Sequence, residues 1–220
     1  MIHGSPPIPR LYYSPEACSL AVHIALEETG APFVPVCIAL AEGEQRSAAY
    51  LAINPKGRVP VLIDDGFVVT ELPAVLLYIA RRYPHAKLWP DDPRGEARCA
   101  EWLAWCASGL HEVFAHLRRP ERFADSDAAR SEVARKGRTS SRAVWEMVEN
   151  KLADSPDTWA CGSRYSVADA SLLVFWIWGR SKTLQYDMPR DFPEWTSHAK
   201  RVAERDAVRR TLAREGLMPP

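Results

Sequence analysis

Short apolar runs and amphipathic stretches alternate through the first part of the chain, whereas from residue 96 onward only helical spacing remains. Arg10 to Ser14 reads as a strand that Pro15 breaks. From about Cys18 to Thr29, Leu20, Ala21, Ile24 and Ala25 fall on one side of a predicted helix, with Gly30 as its stop. Phe33 to Ile38 contains Pro35, whose missing N–H confines such a strand to a sheet edge. A helix joining two strands predicts a parallel pair. A short helix is expected over Ser47 to Ala52, and then Val59 to Ile63 and Phe67 to Thr70 flank Asp64-Asp65-Gly66, a hairpin signal. Pro73 suits the first turn of a further helix, which Pro84 ends near Tyr83. This order predicts a small mixed sheet with helices on its faces, over residues 1–88.

The segment Pro84 to Gly95, with its prolines and its Asp91-Asp92-Pro93 turn, reads as a linker, and residues 1–9 as an irregular lead-in. Beyond it, Leu103, Ala107, Leu110, Phe114 and Leu117 alternate steps of four and three, as one face of a long helix does. Ser126 to Ala153 is a second helix, whose basic run reads as a solvated face interleaved with Glu132, Glu146 and Glu149. Ser166-Val167-Ala168-Asp169 has capping-box spacing and opens a helix that is apolar almost all round, which belongs at the centre of a bundle. Further helices are expected over Pro193 to about Arg205 and Ala207 to Glu215. Residues 96–220 are therefore predicted to form an all-helical domain.

Composition narrows the partners. Acidic and basic residues balance to a formal net charge of zero, leaving no global field for nucleic acid or an anionic membrane surface. Cys18, Cys37, Cys99, Cys106 and Cys161 are odd in number and contain no CxxC pair, which suits a reducing, cytoplasmic setting better than a disulfide framework or a zinc ribbon. The longest apolar run, Leu172 to Trp178, is too short to span a bilayer, and the N-terminus has no export signal. His111 and His116 miss the i, i+4 spacing of a helical metal site by one residue, so no metal is expected there.

Val59-Pro60, inside NPKGRVPVL (residues 54–62), sits at the entry to a strand. As an ordinary trans bond it would simply open that strand. As a cis bond it would leave Val59 facing outward, able to pair its backbone with an extended peptide as an added strand does.

The architecture, with LYYSPEACSLAVHIALEETG at 11–30, NPKGRVPVL at 54–62, Thr70-Glu71, EWLAWCASGLH at 101–111 and SVADA at 166–170, resembles the cytosolic glutathione transferases, most of all the bacterial beta class. The resemblance spans nearly the whole chain. It implies a thioredoxin-like α/β N-terminal domain followed by an all-α C-terminal domain, glutathione as co-substrate, and a homodimer active in detoxification. The partners it implies are glutathione and a small apolar electrophile held between the domains.

By that resemblance the site comprises Cys18, Tyr13 and His111 as catalytic residues, with Val59, Pro60, Glu71 and Leu72 holding glutathione. Cys18 would face the glutathione sulfur, and a helix N-terminus beside it would lower its pKa; otherwise it is an inert small hydrophobe. Tyr13 matches a thiolate-contacting tyrosine of the superfamily, or is a packed strand aromatic. Glu71 would pair with the γ-glutamyl ammonium while helix-start N–H groups take the neighbouring carboxylate; alternatively it is merely a favourable charge there. His111 matches a histidine of the beta-class site, or is a partly buried core residue. Trp176 and Trp178 would line a pocket for the electrophile or belong to the core.

Four positions depart from the family pattern. Gly43, Ala104 and Glu112 stand where beta-class chains often have Lys, Asn and Lys, and Leu72-Pro73 replaces a residue with a hydroxyl or none. Lost cations and gained acids weaken the hold on an anionic tripeptide unless Arg46 or Arg58 compensates. Besides conjugation, two other functions thus stay open: thiol transfer through a mixed disulfide on Cys18, and a binding role on a retained transferase fold.

Overall fold

The computed structural model describes residues 7–155 and 157–220, so the expected lead-in over 1–9 lies largely outside the described residues. Two compact units are present. One ends at Trp89 and also takes in Arg205–Pro219; the other is Pro90–Glu204.

The first unit begins with β1 (Arg10–Tyr13), α1 (Leu20–Thr29), β2 (Val34–Cys37), α2 (Ala48–Ile53), β3 (Val61–Asp64), β4 (Phe67–Thr70) and α3 (Leu72–Arg82). Its four strands run in the order β2-β1-β3-β4, with β1 parallel to β2 and antiparallel to β3, and β3 antiparallel to β4. Pro35 opposes Leu11 on the edge strand β2, the position its missing donor demands. The β3–β4 turn places Asp65 and Gly66 at φ 49° and 78°, the left-handed pair that joins twisted strands. Gly30 ends α1 at φ 66°, and Ser47 caps α2 by accepting from the Tyr50 N–H. Leu11, Ile24, Leu62 and Leu76 are fully buried in the core of this unit.

The second unit holds α4 (Pro93–Trp105), a π-helical turn (Cys106–Leu110), α5 (His111–Arg118), α6 (Asp127–Ala153), α7 (Val167–Gly179), α8 (Met188–Asp191) and α9 (Pro193–Ala203). Every residue of α7 is buried, and its N-terminus carries the expected capping box between Ser166 and Asp169. Asp169, wholly buried, accepts from the Ser166 N–H at 2.7 Å and the Ala160 N–H at 2.8 Å, and meets His198 Nε2 at 2.8 Å. Arg135 pairs with Glu132 and Arg142 with Glu146 along the solvated face of α6. The apolar stripe of α4–α5 departs from the expected spacing: Cys106 is buried and Ala107 exposed. The π-helical turn over Cys106–Leu110 joins the two helices at that point, and Leu103, Leu110 and Phe114 of the expected stripe are buried on either side of it.

The last helix, α10 (Asp206–Glu215), was expected with the helical region but packs on α1. Its amphipathic face meets residues that are polar within an otherwise apolar helix. His23 Nδ1 lies 2.7 Å from Glu215 Oε1, both side chains being fully buried, while Arg214 Nη1 stands 3.4 Å from His23 Nε2. Arg205 grips Glu28 with two donors at 2.6 and 2.8 Å, and Arg210 and Arg214 both reach Glu27. Burial raises the pKa of the Glu215 carboxyl, against the lowering pull of His23. No helix among the described residues is long and apolar enough to cross a membrane.

Candidate active site

The loop between α2 and β3 is built to present Val59. Asn54 turns it by accepting from the Lys56 and Gly57 N–H groups, at 3.2 Å on its side chain and 2.9 Å on its carbonyl. Gly57 sits at φ 59°, and a Cβ there would come within 2.9 Å of the Gln45 carbonyl, so both conformation and space require glycine. The Arg58 carbonyl is then fixed by the Tyr50 hydroxyl at 2.8 Å and Asn54 Nδ2 at 2.7 Å. The Val59-Pro60 bond that follows is cis. The Val59 side chain packs with Ile38, Tyr50 and Val61, while its backbone precedes the sheet ladder, whose first paired residue on β3 is Val61.

Cys18 lies in the turn before α1, and its thiol faces the Val59 carbonyl oxygen at 3.7 Å. The expected lowering of its pKa does not occur. Burial raises it from 9.0 to about 12, outweighing the backbone N–H groups of Cys18 and Ser19 and the charge of Arg58, which favour the thiolate; Glu71 pushes the same way as burial. Cys18 is therefore a thiol at neutral pH. A helix start contributes a partial charge, whereas complete desolvation acts on a full one.

Glu71 caps α3 without a side-chain cap bond, at φ 73° and ψ 124°. A left-handed conformation at a non-glycine residue costs about 1–3 kcal/mol and marks a position that its surroundings over-determine. The exposed Glu71 carboxylate pairs with Lys56, whose ammonium also donates to Thr70 Oγ1 at 2.6 Å. Leu72, the first residue of α3, is buried and keeps its N–H; Pro73 contributes none. Lys56 escaped the sequence reading. Its place in NPKG, one turn from a strand entry, was the available signal, but the pairing with Glu71 spans fifteen residues and depends on the fold.

Tyr13 does not join this group. Alternation along β1 puts Leu11 and Tyr13 on one face and Arg10 and Tyr12 on the other, and it is Tyr12 that packs beside Tyr50 and Val59. Tyr13 stacks edge-on against His23 at 4.8 Å, and its hydroxyl pKa is raised by burial and by Cys37 and Glu215. His111 begins α5 directly after the π turn, its ring edge-on to Trp178 at 5.0 Å. Trp178 stacks on Phe114 at 4.3 Å, and Trp176 donates to Thr196 Oγ1 at 3.0 Å, so both tryptophans are core. Gly43 joins two short 3-10 turns at φ 79°, and Ala104 and Glu112 are exposed. Among the described residues no group of three or more His, Cys, Asp or Glu side chains is arranged to hold a metal.

Residues 17–82 match the family description "Glutathione S-transferase, N-terminal domain" and residues 106–206 "Glutathione S-transferase, C-terminal domain". The glutathione S-transferase GstA of Escherichia coli O157:H7 is 33% identical over 212 residues, 94% of this chain and 99% of that protein. The chain belongs to the glutathione S-transferase family. Among solved structures, this transferase resembles a glutathione transferase homologue from Sulfitobacter with bound glutathione, with a TM-score of 0.87 and 31% identity over 96% of this chain and 99% of that one. It also resembles the bacterial beta-class glutathione S-transferase of Sphingomonas chungbukensis, with a TM-score of 0.79 and 36% identity over 95% of this chain and all of the other. The fold is the glutathione S-transferase fold: a thioredoxin-like domain with a mixed four-stranded sheet, then a helical domain.

Proposed function

We propose that this transferase conjugates the thiol of glutathione to small apolar electrophiles. Glutathione lies along Val59-Pro60 as an added strand, its cysteinyl backbone pairing with Val59. Glu71 takes the γ-glutamyl ammonium, and the open N–H groups at the start of α3, that of Leu72 included, take the adjacent carboxylate. The observation that carries this reading is the meeting of the Cys18 thiol, the Val59 carbonyl and the Glu71 charge in one unit. A thiol that stays protonated is suited to donate its S–H to the glutathione thiolate, and thiolate stabilisation with positioning supplies the rate gain. The same property disfavours thiol transfer, which needs Cys18 as the attacking thiolate. His111 contributes from the start of α5 as a polar group among aromatic side chains. Tyr13 holds no catalytic role in this scheme.

The assembly we propose is a homodimer, supported by the exposed apolar group Phe67, Val68 and Leu77 on β4 and α3. A cytoplasmic, detoxifying role accords with five free cysteines. Calorimetric titration with reduced glutathione is the first test. Saturable binding with a Kd at or below about 1 mM, worth roughly 4 kcal/mol, is expected, followed by conjugation to a chromogenic electrophile. Absence of binding at several times that concentration overturns the enzymatic reading and leaves a binding role on this fold. Conjugation left intact with thiol transfer lost in Cys18→Ala would reverse the role given to that thiol.

A further inference from the structure

Three of the five cysteines belong to the helical unit, and none of them is among the residues proposed to bind glutathione. Cys99 is fully buried on α4, and Cys106, in the π turn one stretch further on, is buried too and close enough for the two charges to oppose each other. Cys161 belongs to a different segment. It sits at the tip of a tight turn closed by a two-way bridge between Trp159 and Gly162, with N–H to O distances of 3.1 and 3.3 Å.

That turn is pinned from both sides. Trp102 Nε1 on α4 donates to the Ala160 carbonyl at 2.9 Å, and the Ala160 N–H donates to the buried Asp169 carboxylate at 2.8 Å. The two bonds leave Ala160 little freedom and set Cys161 over α4, where Cys99 lies one turn before Trp102 and is close enough for the charges of the two thiols to oppose each other. Cys161 is only partly buried and opens into a cleft of about 760 Å³ whose other walls include Arg98, Trp102, Lys151, Asp154 and Asp157. One thiol of the pair is thus reachable from solvent and the other is not.

We propose that Cys99 and Cys161 form a reversible dithiol–disulfide pair, with Cys161 reacting first with glutathione disulfide and Cys99 resolving the mixed disulfide. In the first step Cys161 loses its proton to solvent and its sulfur attacks one sulfur of glutathione disulfide. The sulfur–sulfur bond breaks, and one glutathione leaves as thiolate and is protonated. Cys99 then gives up its proton and attacks Cys161 Sγ, releasing the second glutathione. Two protein thiols are oxidised to one disulfide and one glutathione disulfide is reduced to two glutathiones. The neighbouring Cys99 thiol and burial both hold the Cys161 thiol above its ordinary pKa, so the exchange is slow at neutral pH and accelerates as pH rises. The product is a staple joining the 159–162 turn to α4, beside the Asp169 cap of α7. Nothing in this pair depends on glutathione binding at Val59.

The test equilibrates the full-length protein, under native conditions, with a series of glutathione to glutathione disulfide ratios, quenches with acid, alkylates and maps the peptides by mass spectrometry. The expected result is a linked peptide pair containing Cys99 and Cys161, with a population that follows the ratio and disappears on adding a dithiol reductant. In Cys99→Ala the mixed disulfide should persist on Cys161, and in Cys161→Ser Cys99 should stay reduced. Cys99 and Cys161 both remaining reduced in wild type at the most oxidising ratio would overturn the proposal, as would a link from Cys99 to Cys106. The wild-type map decides the matter even if a variant fails to fold.

Discussion

The burial of Cys18 sets its reactivity quantitatively in the protein without glutathione. A rise of its pKa from 9.0 to about 12 corresponds to roughly 4 kcal/mol against the thiolate, at about 1.4 kcal/mol per unit. Near neutral pH the thiolate fraction falls about 10³-fold. The more basic thiolate is intrinsically more nucleophilic, and a Brønsted slope of about 0.45 returns a factor of roughly 20. The net effect on alkylation is a rate about 50-fold below that of an ordinary thiol, before any further loss from restricted access. Timed alkylation with iodoacetamide, read by peptide mass spectrometry, measures this directly, with the exposed Cys37 as an internal reference. The Cys18 rate should still be climbing well above pH 10. Alkylation of Cys18 faster than Cys37 at neutral pH, or a plateau below pH 9, would refute the claim that desolvation outweighs the helix start.

Other consequences can be checked with single variants or a pH series. Glu71→Gln should leave thermal stability nearly unchanged, since an exposed pair is worth about 0–1 kcal/mol. It should weaken glutathione binding by about 1.5–3 kcal/mol, roughly 10- to 150-fold, in calorimetry. Lys56→Met should act in the opposite direction, tightening binding by up to about 5-fold because Glu71 no longer has a competing cation; weaker binding would show that Lys56 itself contacts glutathione. Asp169→Ala should cost about 3–5 kcal/mol in urea unfolding, because it orphans buried donors from Ser166, Ala160 and His198. Stability should fall on the alkaline side. The Cys18 and Tyr50 pKa values are raised from 9.0 and 10.0 to about 12, so the unfolded chain loses those protons first. Their contribution is complete below about pH 9 and is lost as pH climbs toward 12, with a slope for a fully shifted group of about 1.4 kcal/mol per unit. Flat stability across that range in urea titrations would contradict the assignment.

Local signals carried most of the fold. Gly30 and Asp65-Gly66 specify their turns through their own backbones and the Ser166–Asp169 box its cap through its side chains, and the structure places each as its sequence indicates. The π turn was hidden because a 4-3 spacing of apolar residues is satisfied equally well by Ala107, and only packing selects Cys106. Tyr12 and Tyr13 are adjacent aromatics on one strand, and which of them shares a face with Val59 is settled by the strand's rotation within the sheet. The Cys18 thiol illustrates the deeper limit. Proximity to a helix start is visible in a sequence, but desolvation is the sum of many neighbours distant in the chain.

The clasp of α10 on α1 has a consequence for synthesis. Residues 206–215 leave the ribosome only after all of 90–204 has been made, so β1–β4 and α1–α3 must wait through the production of an entire helical unit before the partners of His23, Glu27 and Glu28 arrive. Until then α1 exposes an imidazole and two carboxylates whose positions in the finished molecule are occupied by Glu215, Arg205, Arg210 and Arg214. The nascent sheet domain is thus incomplete throughout the synthesis of residues 90–204, and its last stabilising contacts form only after them. A chain interrupted after residue 204 would carry that open surface permanently, as a ready target for chaperones and proteases.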